Sequence, residues 1–207
     1  MKQKQTFMYI ASFLTLTIPV TGRFVYGMTL VLELFLLEIT GILINSLVSK
    51  LKLNEIRTYF VMYFMIAITI LYRQILVMTN TEIALTLGYI LYFPSVSVFL
   101  THTLFTDYNE ALPVRLKHNL LSTLFFSSMI LVFFFFRDIA GYGTFTFFGP
   151  NHRIYEKVLF NPARIGVFTF FATIPGALVL TSLFIYLSLF LRNKFRIISG
   201  KTKTEDK

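Results

Sequence analysis

Apolar runs dominate the chain, and short polar breaks divide them into six: about Thr6 to Thr21, Gly27 to Val48, Ile56 to Met78, Glu82 to Phe105, Asn119 to Phe136 and Gly166 to Leu191. A helix that crosses a bilayer needs roughly 20 mainly apolar residues, and each run approaches or meets that length. The expected fold class is an all-α integral membrane protein with six transmembrane helices, a single membrane domain over residues 1–207. The first run follows Lys2 and Lys4, as a signal peptide would. No small-x-small cleavage site follows Val20, however, and Pro19-Val20-Thr21-Gly22-Arg23 reads as a helix break, so the segment is expected to be retained.

Six spans divide into two sets of three, and an odd number per set turns the second set upside down relative to the first. The expected arrangement is two inverted three-helix repeats, residues about 6–79 and about 81–191, followed by a basic tail, 192–207. Pro19 and Pro94 fall at similar depths in the first helix of each set. Proline removes an amide donor and clashes with the preceding turn, which frees backbone groups that hydrocarbon cannot satisfy. Broken first and fourth helices are therefore expected, and paired interruptions of this kind point to a site near the midplane. Pro175-Gly176 is a third expected interruption, in the sixth span.

Composition agrees with a bilayer. The 207 residues are 56% hydrophobic, 14% charged and have a mean hydropathy of +0.70, too apolar for one soluble domain to bury behind a polar surface. The net charge of +9 does not point to nucleic acid, because its Lys and Arg lie between or beyond the apolar runs. Lys2, Lys4, Lys50, Lys52, Arg57, Arg115, Lys117 and the tail cations from Arg192 onward fall on one side. Arg23, Arg73, Arg137, Arg153, Lys157 and Arg164 fall on the other. The positive-inside pattern then places both termini in the cytoplasm. Cysteine is absent, which excludes disulfides, Cys-ligated zinc and Cys-held iron–sulfur clusters.

Few residues within the runs carry chemistry. Glu38 falls near the centre of the second span, where an acidic side chain costs about 2.5 to 3.5 kcal/mol to insert. Gly41 and Asn45 share its helix face, so a small and polar stripe is expected to turn toward the bundle interior. Glu38 reads either as a hydrogen-bonded structural acid or as part of an ion path. Glu33, roughly 140° around the helix, belongs to another face and reads as bundle-facing or interfacial. His102, beside Thr101 and Thr103, reads as a ligand or proton carrier, or as a solvated interfacial histidine. Arg137 and Asp138 follow the Phe133 to Phe136 run and are expected to pair with each other or with backbone carbonyls. No nucleophile–base set, metal-ligand cluster or glycine-rich nucleotide fingerprint is present in the sequence, which leaves no catalytic residue to name.

From Arg137 the sequence becomes specific: Arg137-Asp138-Ile139-x-Gly141-x-Gly143-Thr144-Phe145, then Phe148-Gly149, then Ala172-Thr173-Ile174-Pro175-Gly176-Ala177. This resembles the C-terminal half of the six-helix membrane subunits of the Rnf and sodium-pumping NADH:quinone oxidoreductase (Nqr) complexes. Glu55-Ile56-Arg57 resembles the start of the family's third helix, and Pro94 with Asp107 fits its fourth helix more loosely. The predicted orientation is similar to that of the E-type Rnf and D-type Nqr branch of the family. The resemblance implies a subunit of an ion-translocating electron-transport complex in a bacterial cytoplasmic membrane. Its implied partners are a paralogous six-helix subunit of opposite topology and flavin-bearing redox subunits.

The family's [2Fe-2S] cluster is held by cysteines at positions that fall near Thr15 and Leu100 in this chain. Neither can supply a thiolate, so no cofactor is expected in this chain, and Glu38, Asn45, His102, Arg137 and Asp138 remain as ion-path or structural polar residues. A different class of function fits the same size: the six-helix substrate-binding component of a vitamin-type transporter, partnered by an ATPase module. A lipid-modifying enzyme finds no acidic pair or His motif to rest on.

Overall fold

Proline, glycine and the apolar runs decide where helices start and stop. The computed structural model of the chain describes residues 3–51, 55–101, 112–149, 153–160, 168–187 and 190. Helix α1 (Gln3–Thr17) ends where Pro19 can no longer donate to the helical ladder, its last amide bond being Ile18 N–H to Leu14 O at 3.1 Å. The chain turns through residues 18–23 and enters α2 (Phe24–Lys50), which is apolar on nearly every side and packs against elements from both halves of the chain. Helix α3 (Arg57–Thr79) buries only a stripe at Val61, Met65, Thr69 and Leu76, so it lies at the edge of the bundle.

Asn80 starts α4 (Thr81–Leu87), its side chain accepting from the Ile83 amide at 3.4 Å. Gly88, at φ 48°, then ends that helix, and a 3-10 turn (Gly88–Tyr92) leads into α5 (Phe93–Thr101). Pro94 occupies the first turn of α5, where a missing N–H costs nothing. The interruption in the fourth apolar run therefore belongs to Gly88, and Pro94 follows it. Pro19 likewise terminates a short helix and does not interrupt a long one. At 15 residues, α1 covers only about 22 Å of rise.

Helix α6 (Leu112–Tyr142) outruns its apolar stretch and carries Arg137 and Asp138 as helical residues. Gly143 stops it at φ 66°, its amide bonded to Ile139 O at 3.0 Å, a left-handed cap that suits glycine. The segment after Gly143 corrects the all-α expectation. Strands β1 (Thr144–Phe148) and β2 (Ile154–Val158) form an antiparallel hairpin, with Thr144 opposite Val158 and Phe148 opposite Ile154. The Thr-Phe-Thr-Phe alternation between two glycines is a period-2 pattern of β-branched and aromatic residues, which favours a strand. A second 3-10 turn (Phe168–Ala172) precedes α7 (Ile174–Leu187), whose first turn holds Pro175. Thr173 caps it, its Oγ1 accepting from the Gly176 amide at 3.3 Å. Pro175-Gly176 thus opens a helix where an interruption was expected.

Helical segments α2, α3, α4 through α5 (Thr81–Phe99) and α6 are long and apolar enough to cross a membrane, while Phe7–Thr17 and Ile174–Leu187 are shorter apolar helices. Large apolar side chains such as Tyr63, Ile70, Leu121, Phe125 and Leu183 stand on the outside, as a lipid-facing surface requires. The core runs between α1, α2, α5 and α6 through Leu16, Leu30, Leu37, Leu91, Phe133 and Phe134. These features suit a multi-pass membrane protein.

Candidate functional site

Polar side chains gather inside this apolar bundle at the hairpin end and at mid-depth. At the hairpin end, Arg137 is almost wholly buried, and among the described residues its guanidinium donates to backbone carbonyls alone. Nη1 reaches Thr17 O at 3.1 Å and Val20 O at 2.7 Å, Nε reaches Phe171 O at 3.2 Å, and Nη2 lies 3.5 Å from Ala172 O. Pro19 and the 3-10 turn leave these carbonyls without helical partners, and a cation at two C-terminal ends also complements their dipoles. Gly22 makes the approach possible, since a Cβ there would sit 2.6 Å from Arg137 Cγ and Nε.

Asp138 faces the other way, and its carboxylate gathers the beginning of α2 and of β1. Oδ2 accepts from the Phe24 amide at 3.1 Å, the Thr146 amide at 2.9 Å and the Thr146 hydroxyl at 2.8 Å; Oδ1 accepts from Thr144 Oγ1 at 3.0 Å. The Val25 amide donates to Thr146 Oγ1 at 3.3 Å, so two of the exposed amides at the start of α2 are capped by residues more than a hundred positions later. Arg137 and Asp138 therefore follow the backbone-carbonyl alternative for Arg137 and a capping role for Asp138. Arg23 pairs with Glu156 at 3.0 Å and lies over the Tyr142 ring, and the Ile154 amide donates to Glu82 Oε2 at 3.3 Å. The hairpin thereby ties α2, α4 and α6 together at one end.

At mid-depth, Glu38 is buried on α2 about 21 Å along its axis from Phe24, close to the middle of the helix. It lines a small cleft with Tyr9, Leu34, Ser97, Val98, Ser122, Thr123 and Phe126, supplied by α1, α2, α5 and α6. The free space at its centre holds about one water-sized sphere. Hydroxyls connect its walls: Tyr9 and Ser122 lie 3.2 Å apart, and Ser12 bonds Ser97 across the α1–α5 contact. Gly41 and Asn45 share the buried side of α2, and Arg57 Nε of α3 donates to Asn45 Oδ1 away from the cleft.

The remaining expected positions fall elsewhere. Thr15 is half-buried and donates to Ala11 O at 2.8 Å, and Leu100 belongs to the last turn of α5. His102 and Asp107 lie outside the described residues. A [2Fe-2S] cluster does not fit this chain: Thr15 offers a hydroxyl already bonded to its own helix, and the sequence holds no cysteine.

No family model, curated protein or solved structure matches the chain.

One buried polar feature carried a sequence signal that the pattern of apolar runs obscured: Asn119, Thr123 and Ser127 repeat at the helical i, i+4 spacing along α6, and all three are buried. Glu33, expected to face the bundle or the interface, is fully buried on the side of α2 that faces Thr69 of α3.

Proposed function

We propose that the chain is a membrane subunit of an Rnf/Nqr-like ion-translocating electron-transport complex, in which it supplies part of an ion path and no redox centre. The observation that carries this reading is Glu38, an acid at the middle of a membrane-length helix, facing a hydroxyl-lined cleft between helices from both halves of the chain. Such acids are costly in hydrocarbon and are retained where a proton or cation passes. The cleft has the size of an ion or a water, which favours this reading over the vitamin-binding transporter component.

The Arg137 to Gly149 and Pro175-Gly176 stretches enter the family reading through their sequence alone. The resemblance rests on them, and in the fold they lock two helix ends and cap a third. On this reading the two inverted three-helix repeats meet at the cleft, both termini are cytoplasmic, and the membrane is the bacterial inner membrane. The partners are an inverted paralogue and flavin-bearing subunits.

Extraction from the native membrane in mild detergent, followed by identification of the copurifying chains, tests the class. Flavoproteins and a six-helix paralogue are expected; a transporter ATPase in their place overturns it. Within the intact complex, Glu38→Gln is expected to lower ion translocation at least tenfold, roughly 1.4 kcal/mol or more on the rate-limiting step, without releasing the chain from the complex.

A further inference from the structure

Glu33 is a second buried acid on α2, and the cleft around Glu38 does not include it. It sits about 14 Å from the start of the helix, about 7.5 Å nearer the hairpin end than Glu38, and faces α3. Neither of its carboxyl oxygens has a hydrogen-bond partner among the described residues. Thr69 of α3 faces it, also buried and likewise without a partner for its hydroxyl among those residues. Tyr72, one turn further along α3, is committed elsewhere, its hydroxyl donating to Thr29 O at 2.9 Å.

Two unpartnered polar side chains facing each other between two helices demand an explanation, since a leucine would cost less. A carboxyl in such a place is uncharged only with a proton or a cation on it. Two carboxyl oxygens and one hydroxyl are too few to replace the shell of about six oxygens that a hard cation takes. A proton needs one.

We infer that Glu33, with Thr69 as its hydroxyl neighbour, is a proton-exchanging carboxyl, a second proton site on α2 between Glu38 and the hairpin end. Of the elements packed on α2, α3 brings Tyr72 against Glu33, and α5 and β1 have no titratable residue. Helix α6 has its charges toward its ends, with Arg137 and Asp138 bonded at the hairpin end. Only the use made of the proton rests on the ion-path reading of Glu38; exchange itself is a property of the isolated chain.

The test uses the full chain, in native membranes and purified in detergent. Dicyclohexylcarbodiimide attacks protonated carboxyls in apolar surroundings, and mass spectrometry locates the adduct. Labelling of Glu33 is expected in the wild type and in Glu38→Gln, falling several-fold from mildly acidic to alkaline pH and unaffected by sodium at constant ionic strength. Labelling that is independent of pH, or protection by sodium, overturns the proton assignment. A second readout does not depend on reagent access. The infrared difference between wild type and Glu33→Gln is expected to show a protonated carboxyl band that shifts on transfer to deuterated water. A band that stays unshifted, or no protonated band at any pH, sinks the inference. Exchange at Glu33 with translocation unaffected by Glu38→Gln would leave this site standing while removing the ion-path function of Glu38.

Discussion

Arg137 concentrates more of the fold in one side chain than any neighbour on α6. Its guanidinium serves carbonyls of two chain segments that have no ladder of their own, in a place where water does not compete. Removing it strands those carbonyls, so Arg137→Ala is expected to destabilise the detergent-solubilised chain by on the order of 3 kcal/mol in thermal or denaturant unfolding. Arg137→Lys is expected to recover less than half, because a single ammonium cannot span both segments as the planar fork does. Gly22→Ala attacks the same bond set from the other side. Its Cβ would press on Arg137 atoms that four carbonyl contacts hold in place. Combined with Arg137→Ala, its cost should largely vanish, a non-additivity that a double-mutant cycle detects.

At the scale of elements, three helices depend on residues distant in sequence or on a single backbone angle. Helix α2 begins without a side-chain cap of its own, and Asp138 and Thr146 supply one from α6 and β1. Thr146→Val keeps the strand and removes the hydroxyl. A loss of about 1 kcal/mol is expected, with faster amide hydrogen exchange at Phe24 and Val25 and unchanged exchange in the middle of α2. Gly88 and Gly143 both hold positive φ, but only Gly143 is crowded. A Cβ at Gly143 meets the Phe160 carbonyl, whereas none of the described residues lies within 4 Å of one at Gly88. Gly88→Ala should cost about 1 to 3 kcal/mol from backbone strain alone, and Gly143→Ala, which adds a clash to its strain, more, by the same unfolding measurement.

For the whole molecule, the decisive quantity is which end faces the cytoplasm. The hairpin, the C-terminal ends of α1 and α6 and the N-terminal ends of α2 and α4 gather at one end of the bundle through Arg137, Asp138 and Glu82. The absence of cysteine makes the natural chain its own background for labelling. Lys157→Cys on the hairpin is expected to react with a membrane-impermeant maleimide in intact cells, and Lys201→Cys in the tail only after permeabilisation. The reverse pattern would invert the topology read from the positive charges.

How far the sequence reached depends on which forces are local. Hydrophobic run length is set by bilayer thickness, so the apolar helices were legible from composition and spacing alone. Glu38 was legible for the same reason: an acid in the middle of an apolar helix has a cost that needs no neighbour to compute. The two prolines were visible, but their consequences were not, because a proline in a helix's first turn and one at its end look alike until the turn geometry at Gly88 is known. The hairpin hid in a loop-length segment, and its stability comes from Asp138 and the Phe24–Phe145 stacking, which joins residues more than a hundred positions apart.

By itself, then, the sequence determined a mainly helical chain whose apolar runs are long enough to cross a membrane, without thiol chemistry and with an acid near the middle of one of them. Tertiary structure decided which polar groups meet, Ser12 with Ser97 and Arg137 with the ends of α1 and the second 3-10 turn, and which face each other unbonded, Glu33 and Thr69. The physical reason is that burial in a bilayer is priced residue by residue, whereas the satisfaction of a buried polar group depends on what another helix brings within about 3 Å of it.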